Sequence, residues 1–322
     1  MVTLPGTTVT VDISSSAIRL LMVRKGRVVK WASAPLDPGS VAGGVVLEPA
    51  SVASRLRRLM KATGMMSKRV VAGVSGLHST YRLLPSTSML LEGPPRDMIM
   101  HAAGEVMPLP VEELYLTWQA IGSNSNGGSA GALMLIGMPR GTVDGEVMAL
   151  RSAGTGPPVL NLKVLALRRL VPVGNALIAN LESDCLDIGL VVDGIPRIVR
   201  SIGQPSHTVV RDYVACLAHR LQETLVFYQA RDPDTGAEPA FPLFLAGEMV
   251  TTDGMVQMVR DAVPYSVKPL RVAVDCPPDL PVMQFAVNLG LALVKVAPPG
   301  RAASFHWPWN RVQRNAETKA IA

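Results

Sequence analysis

Apolar and polar positions alternate from the start of the chain. Residues 8–12 (Thr-Val-Thr-Val-Asp) read as a strand and Ser14-Ser15-Ser16 as a turn. Ile18–Val23 and Val28–Ala34 read as two further strands around a Lys25-Gly26 turn. Pro49 and Ser51 open a helix running to about Ala62, with Val52, Leu56, Leu59 and Met60 on one face. Arg55, Arg57, Arg58 and Lys61 cover the remainder, and Gly64 stops it. The unbroken apolar run Val70–Val74 predicts a buried strand. The first 80 residues therefore read β-β-β-α-β.

A second block follows. Arg82-Leu-Leu-Pro85 ends an extended stretch, and a helix runs from about Pro95 to Met107 with Ile99, Ala102, Ala103 and Val106 inward. Leu114–Ile121 and Ala132–Gly137 are strands joined by the polar loop Gly122–Gly131, and a helix over Thr142–Ala153 ends at Gly154. From about residue 175 the opening pattern restarts. Ala176–Leu181, Leu186–Val192 and Pro196–Ser201 are three strands. A long helix from about Val209 to Ala230 places Tyr213, Leu217, Leu221, Leu225 and Tyr228 on one side. The apolar strand Phe241–Ala246 and helices over Thr252–Ala262 and Val282–Val294 complete it. The unit of three-stranded meander, helix and strand thus occurs twice. After Pro298-Pro299-Gly300 the composition changes, and residues 301–322 read as a poorly ordered tail.

Composition narrows the class. The chain has 322 residues, 48% hydrophobic and 17% charged, with a net charge of +6. Soluble domains carry about 25% charged residues, so this chain is apolar and basic at once. Such a composition excludes intrinsic disorder. It also raises the question of a membrane span, which needs about 18 consecutive apolar residues. The best stretch, Val282–Ala297, is interrupted by Gln284, Asn288 and Lys295. Met1–Pro5 has neither the basic nor the apolar region of a signal peptide. Cys185, Cys216 and Cys276 are scattered, and neither they nor the five histidines show metal-ligand spacing. Buried thiols in a reducing cytoplasm are the expectation.

The charge is uneven. Residues 1–82 carry +9, residues 83–150 carry −5 and residues 151–322 carry +2. A basic first third suits anionic lipid or nucleic acid. Trp31 is the one aromatic residue before position 81, which argues against a nucleic-acid platform.

Candidate chemistry sits in the first turn. In Asp12-Ile-Ser-Ser-Ser16 a carboxylate at a strand end suits a hydrated Mg²⁺, and a turn of small residues offers N–H groups and hydroxyls to phosphate. By itself this is also an ordinary hairpin turn. A duplicated unit whose halves each open on such a turn is the layout of the actin-like ATPases. The chain resembles one branch, the PilM family of type IV pilus assembly proteins, related to FtsA. Val11-Asp-Ile-Ser-Ser-Ser-Ala-Ile-Arg19 is similar to that family's opening Leu-Asp-Ile-Gly-Ser-Ser-Ser-Ile-Lys. Arg82-Leu-Leu-Pro85, Glu105-Val-Met-Pro-Leu-Pro-Val-Glu-Glu113 and Leu116-Thr-Trp-Gln119 look like its following blocks, as do Asp193-Gly-Ile-Pro-Arg-Ile-Val-Arg-Ser201 and Leu289-Gly-Leu-Ala-Leu293. The likeness runs over about residues 8–295.

The resemblance implies an actin-like (ribonuclease H-like) duplicated α/β fold with a small α+β insertion domain. Its divisions are a first subdomain over 1–80, the insertion over 81–160, a second half over 161–300 and the tail. It implies a partner, the cytoplasmic, apolar, positively tipped N-terminal peptide of a PilN-like membrane protein, held between the insertion and the first subdomain. The candidate docking residues in the matching blocks are Arg82, Pro85, Glu105, Pro108, Pro110, Glu112 and Glu113. Other pilus platform proteins and self-association are implied as well, with a peripheral location at the inner face of the cytoplasmic membrane.

The implied cofactor is ATP with Mg²⁺. Its candidate ligands are Asp12 (through a Mg²⁺ water), Ser14, Ser15, Ser16, Arg19, Asn180, Glu182, Gly247 and Glu248. Three motifs depart from the family pattern. Ser14 stands where the family has Gly. The second loop, Ala179-Asn-Leu-Glu182, stands where Val-Asp-Ile-Gly is usual and puts a carboxylate at the phosphate. Asp187-Ile-Gly189 offers an alternative register for that loop. The adenosine loop reads Ala246-Gly-Glu248 rather than Ser-Gly-Gly. These departures argue against efficient hydrolysis and leave nucleotide binding open between retained and lost, and no catalytic residue is assigned. The alternatives are an active actin-fold ATPase or phosphotransferase, and an FtsA-like divisome protein.

Overall fold

The computed structural model describes residues 6–85, 96–121, 132–156, 158–205, 209–231 and 241–294. The tail and the Gly122–Gly131 loop lie outside the described residues. Strands β1 (Thr7–Ile13), β2 (Ala17–Arg24) and β3 (Arg27–Pro35) form an antiparallel meander. A two-stranded ribbon, β4 (Val41–Ala42) and β5 (Val45–Val46), leads into helix α1 (Pro49–Thr63). Pro49 starts α1 with its fixed φ, and Gly64 ends it at φ 66° with its N–H on the Lys61 and Met60 carbonyls. Val52, Ala53, Leu56 and Met60 are its buried face. Strand β6 (Val70–Val74), buried throughout, pairs parallel with β1.

The chain then leaves this sheet. Strand β7 (Thr80–Pro85), helix α2 (Arg96–Val106), a 3₁₀ turn at Val111–Glu113, and strands β8 (Leu114–Ile121) and β9 (Ala132–Pro139) form a small antiparallel sheet in the order β7-β9-β8. Helix α2 covers it, setting Ile99, Ala103 and Met107 against Leu114, Leu116, Leu133 and Leu135. This core is separate from the main ones.

Helix α3 (Arg140–Ser152) returns to pack on α1, and strand β10 (Val159–Leu162) pairs parallel with β6. Val143, Val147 and Leu150 join Leu56 and Met60 in the first core. Residues 140–162 therefore sit with the first sheet rather than with the insertion expected over 81–160. This also trims the charge of the insertion. With Asp144 and Glu146 on α3, Glu92, Asp97, Glu105, Glu112 and Glu113 against Arg82 and Arg96 leave −3 over residues 80–139.

After helix α4 (Lys163–Arg168), the second half repeats the first. Strands β11 (Ala176–Leu181), β12 (Cys185–Val192) and β13 (Ile195–Gly203) make a meander, helix α5 (Val210–Arg231) follows, and β14 (Leu243–Ala246) pairs parallel with β11. A 3₁₀ turn at Glu248–Thr251, helix α6 (Met255–Ala262), strand β15 (Val267–Lys268) and helix α7 (Ala286–Ala292) complete it. The sheets run β10-β6-β1-β2-β3 and β13-β12-β11-β14-β15, one topology used twice. The matching turns Lys25-Gly26 (φ 50° and 79°) and Asp193-Gly194 (φ 53° and 80°) have both residues left-handed, the geometry that suits the twist of a hairpin. This is the duplicated α/β layout expected of an actin-like protein.

The halves interlock through two crossed helices. Helix α4 follows the first sheet but packs on β11 and β12, whereas α7 follows the second sheet and packs on β1, β2 and β6. They meet at Gly290, where a Cβ would lie 2.2 Å from the Ala166 carbonyl oxygen. Among the described residues no helix is long and apolar enough to cross a membrane.

Candidate functional site

The cleft between the halves is built from two equivalent hairpins. In the first, Asp12 pairs with Arg19 across β1 and β2; in the second, Asn180 pairs with Asp187 across β11 and β12. Each hairpin closes with the same bond, Ser14 N–H to the Ala17 carbonyl and Glu182 N–H to the Cys185 carbonyl, both 3.0 Å. This register makes Asn180 the counterpart of Asp12, Glu182 of Ser14, Ser183 of Ser15 and Asp187 of Arg19. Asp187-Ile-Gly189 lies on β12, beyond the hairpin. The two tips touch, with Ser15 Oγ 3.2 Å from Ser183 Oγ. Asp184 Oδ2 accepts the Gly43 N–H at 2.6 Å, tying the second hairpin to the β4–β5 turn.

Beneath the tips lies a buried ionic cluster. Lys163, the first residue of α4, places Nζ 2.8 Å from Asp12 Oδ1 and donates to the Ile13 carbonyl at 2.7 Å. Arg19 reaches Asp12 Oδ2 at 3.2 Å, Glu182 at 3.6 Å and Glu248 Oε2 at 2.7 Å. Asn288 on α7 fixes the Arg19 backbone by donating to its carbonyl at 3.1 Å. Glu248 also accepts from the Ser16 hydroxyl and, through Oε1, from the Ser183 N–H at 3.2 Å. Gly247 lets this loop ride over β11: its φ is 101°, and a Cβ there would sit 2.3 Å from the Leu181 carbonyl oxygen.

Burial and charge set the protonation pattern. Burial opposes ionisation of Asp12, but the Lys163 ammonium and Arg19 guanidinium together overcome it and hold the carboxyl below the usual range. Glu182 goes the other way. Burial pushes it up to about 8 against the pull of Arg19 and Lys163, and neither of its oxygens has a hydrogen-bond partner among the described residues. Glu146, buried on α3 near Lys163, is likewise pushed by desolvation up to about 8. Burial also raises Asp187, despite donation from Asn180 Nδ2 at 2.9 Å and from the Ser201 hydroxyl.

The structure thus brings Asp12, Ser14, Ser15, Ser16, Arg19, Glu182, Gly247 and Glu248 to one cleft, with Asn180 on the adjoining strand engaged by Asp187. Sequence reasoning missed Lys163, Ser183 and Asp184, and met Asp187 only in the alternative register for the second loop. Lys163 carried a signal: a charge set between Val159-Leu160-Asn161-Leu162 and Val164-Leu165 is a charge in a buried run.

The docking candidates fall into two groups. Glu105 at the end of α2, Pro108, Pro110, and Glu112 and Glu113 of the 3₁₀ turn share one short segment leading into β8. The Glu112 carbonyl accepts Arg140 Nε at 2.7 Å, and the Arg140 guanidinium lies 4.5 Å over the Tyr115 ring. Arg82 and Pro85 lie on β7, the other edge of the small sheet, with β9 between. Arg82 is exposed and donates to the Tyr81 carbonyl at 3.0 Å.

The family model for type IV pilus assembly protein PilM matches residues 10–193. A solved chain described as the PilM-PilN type IV pilus biogenesis complex superposes with a TM-score of 0.72 at 21% identity, covering 89% of this chain and 97% of that one. The ethanolamine utilization protein EutJ from Carboxydothermus hydrogenoformans superposes with a TM-score of 0.50 at 12% identity, covering 90% of each chain. None of the curated proteins matches in sequence. The family match takes in more than half of the residues, including the first sheet from Thr10 on, the insertion and the second hairpin, and the chain belongs to the PilM family of type IV pilus assembly proteins.

Proposed function

We propose that this PilM-family protein serves type IV pilus assembly as a docking scaffold rather than as an efficient ATPase. In this reading it holds the cytoplasmic tail of a PilN-like inner-membrane protein and works at the inner face of the cytoplasmic membrane. The observation that carries the reading is the likeness, over 89% of the chain, to a structure described as a PilM-PilN complex. The chemistry of the insertion agrees with it. Glu105, Glu112 and Glu113 are exposed around Leu109, which is 38% exposed between two prolines. An acidic rim around an apolar step complements a positively tipped apolar peptide. Arg57, Arg58, Lys61, Lys68 and Arg69 are exposed on the first half, where each well-placed cation adds about 1 kcal/mol of attraction to anionic lipid. The PilM match favours the pilus reading over a divisome one.

The test is fluorescence anisotropy with a labelled peptide carrying the N-terminal cytoplasmic segment of a PilN-like inner-membrane protein from the same organism. Micromolar binding is the expected result. The triple variant Glu105→Lys, Glu112→Lys, Glu113→Lys weakens it at least about tenfold through charge reversal. Absence of binding by the unmodified protein sinks the docking reading, and sustained ATP turnover sinks the non-enzymatic one.

A further inference from the structure

The fold implies a magnesium nucleotide between the two hairpins, and the residues present do not fit one. An internal carboxylate already takes three groups that the hairpins offer an anion. The Ser16 hydroxyl of the first, the Ser183 N–H of the second and the Arg19 guanidinium all converge on the Glu248 carboxylate. Glu248 is 18% exposed and lies at the open end of the cluster. What the cleft offers a cation is taken as well. Asp12 is fully buried, one of its oxygens is on the Lys163 ammonium at 2.8 Å and the other is on Arg19. A hydrated Mg²⁺ keeps several waters that need carboxylate acceptors, and Lys163 and Arg19 already hold both Asp12 oxygens. Glu182 adds little negative charge here, because burial raises its carboxyl to about 8.

We propose that Glu248 is a built-in anionic ligand of both hairpins and Lys163 a built-in cation, together replacing the metal-bound phosphates that elsewhere join the halves of this fold. The halves are then held closed by groups of the chain itself, and closure needs no nucleotide. The arrangement is one of position as well as charge. Glu248 follows Gly247, whose left-handed backbone is what carries the carboxylate over Leu181 to the second hairpin. Lys163 comes from the helix that crosses between the halves, so its pair with Asp12 ties that crossing to β1. The inference rests on reading the cleft as a former nucleotide site and is independent of the docking surface.

The prediction it makes is a gain of binding. Taking away the Glu248 carboxylate leaves Ser16, Ser183 and Arg19 facing an empty anion position. Thermal melting of the full chain at pH 7 reads this directly. The unmodified protein keeps its Tm to within about 1 °C in millimolar inorganic pyrophosphate, in ADP with Mg²⁺ and in ATP with Mg²⁺. The Glu248→Ala variant melts lower and regains about 5 °C or more in pyrophosphate. Adding Arg19→Gln to that variant abolishes the gain. Stabilisation of the unmodified protein by any of the three ligands overturns the proposal, as does a Glu248→Ala variant indifferent to pyrophosphate. If that variant does not fold, hydrogen exchange at the Ser183 amide of the unmodified protein decides. Unchanged protection with and without ADP and Mg²⁺ supports the proposal, and a change overturns it. Peptide docking by the same samples is a separate readout, so a failure of one reading is told from a failure of the other.

Discussion

Lys163 and Asp12 form a buried ion pair at 2.8 Å that joins the first turn of α4 to the end of β1. Lys163 also faces Glu182 and Asp187 of the second half and Glu146 of α3, so it is a cation with acidic groups around it. Breaking a buried pair from one side typically costs about 3–5 kcal/mol, because the remaining charge stays desolvated. Lys163→Met is therefore expected to destabilise by that amount in urea unfolding, with Asp12 titrating higher. Asp12→Asn in the same chain recovers part of the loss, since the carboxylate that contacted the lost ammonium is then gone as well. Additive effects in this double-mutant cycle would show that the two groups do not interact.

Glu182 and Glu146 give the protein an inverted pH response. Their ordinary value is 4.5, and burial takes each to about 8 in the folded state. Between those values the folded chain binds more protons than the unfolded one, so stability falls as pH rises. The contribution is fully present below about 4.5 and is lost as pH passes 8. Asp187, also raised, acts in the same direction, whereas Asp12 is lowered and favours the folded state as pH rises from strongly acid values. The expected result is a urea midpoint that declines from pH 5 to pH 8. Glu146→Gln flattens the decline, because a group that cannot ionise drops out of the slope. An unchanged slope in that variant would assign the pH dependence elsewhere.

The insertion is tied to the second half at one point that is easily probed. Tyr81 on β7 donates its hydroxyl to the Pro196 carbonyl on β13, and burial raises its ionisation well above the usual phenol range despite the nearby Arg197. Tyr81→Phe removes the donor and leaves a carbonyl unpaired, at a cost of about 1–2 kcal/mol. If the hydroxyl is the tie, hydrogen exchange speeds up along β7 and around Pro196 but not in α2, whose core is its own. Uniform exchange across the insertion would show instead that it is held by its connections to the first sheet.

The two meanders were legible because strand alternation and the Lys25-Gly26 and Asp193-Gly194 turns are local signals. Helix α1 was legible because Pro49 and Gly64 bracket a regular apolar face. Strand β10 and helix α4 were not, because Val159–Arg168 is one short apolar run in which periodicity does not separate a four-residue strand from a six-residue helix. Ribbon β4–β5 and strand β15 have two residues per strand, too few to alternate. Helix α7 starts at Ala286 rather than Val282, five residues after Pro281. The hairpin members of the cleft were legible because each lies within a local turn. Lys163 meets Ile13 across 150 residues, a distance only the assembled sheet closes.

Glycines separate the two kinds of helix contact in this fold. Gly290 sits where α7 crosses α4, and a methyl group there would lie 2.2 Å from the Ala166 carbonyl oxygen and 2.5 Å from its carbon. Neither atom can yield without moving the α4 backbone. Gly104 in α2 and Gly141 in α3 meet nothing within 4 Å. Alanine at either exposes no new strain and reduces the freedom of the unfolded chain, a gain of about 0.4–1 kcal/mol. Gly290→Ala is expected to cost about 3 kcal/mol or more by overpacking. It should also loosen the cleft, because Asn288 on the same helix fixes the Arg19 carbonyl. The check is urea unfolding of all three variants, with hydrogen exchange at Arg19 and Ser183 as a second readout. A Gly290→Ala protein as stable as the Gly104→Ala one would mean that the crossing tolerates a wider spacing than the 2.2 Å approach allows.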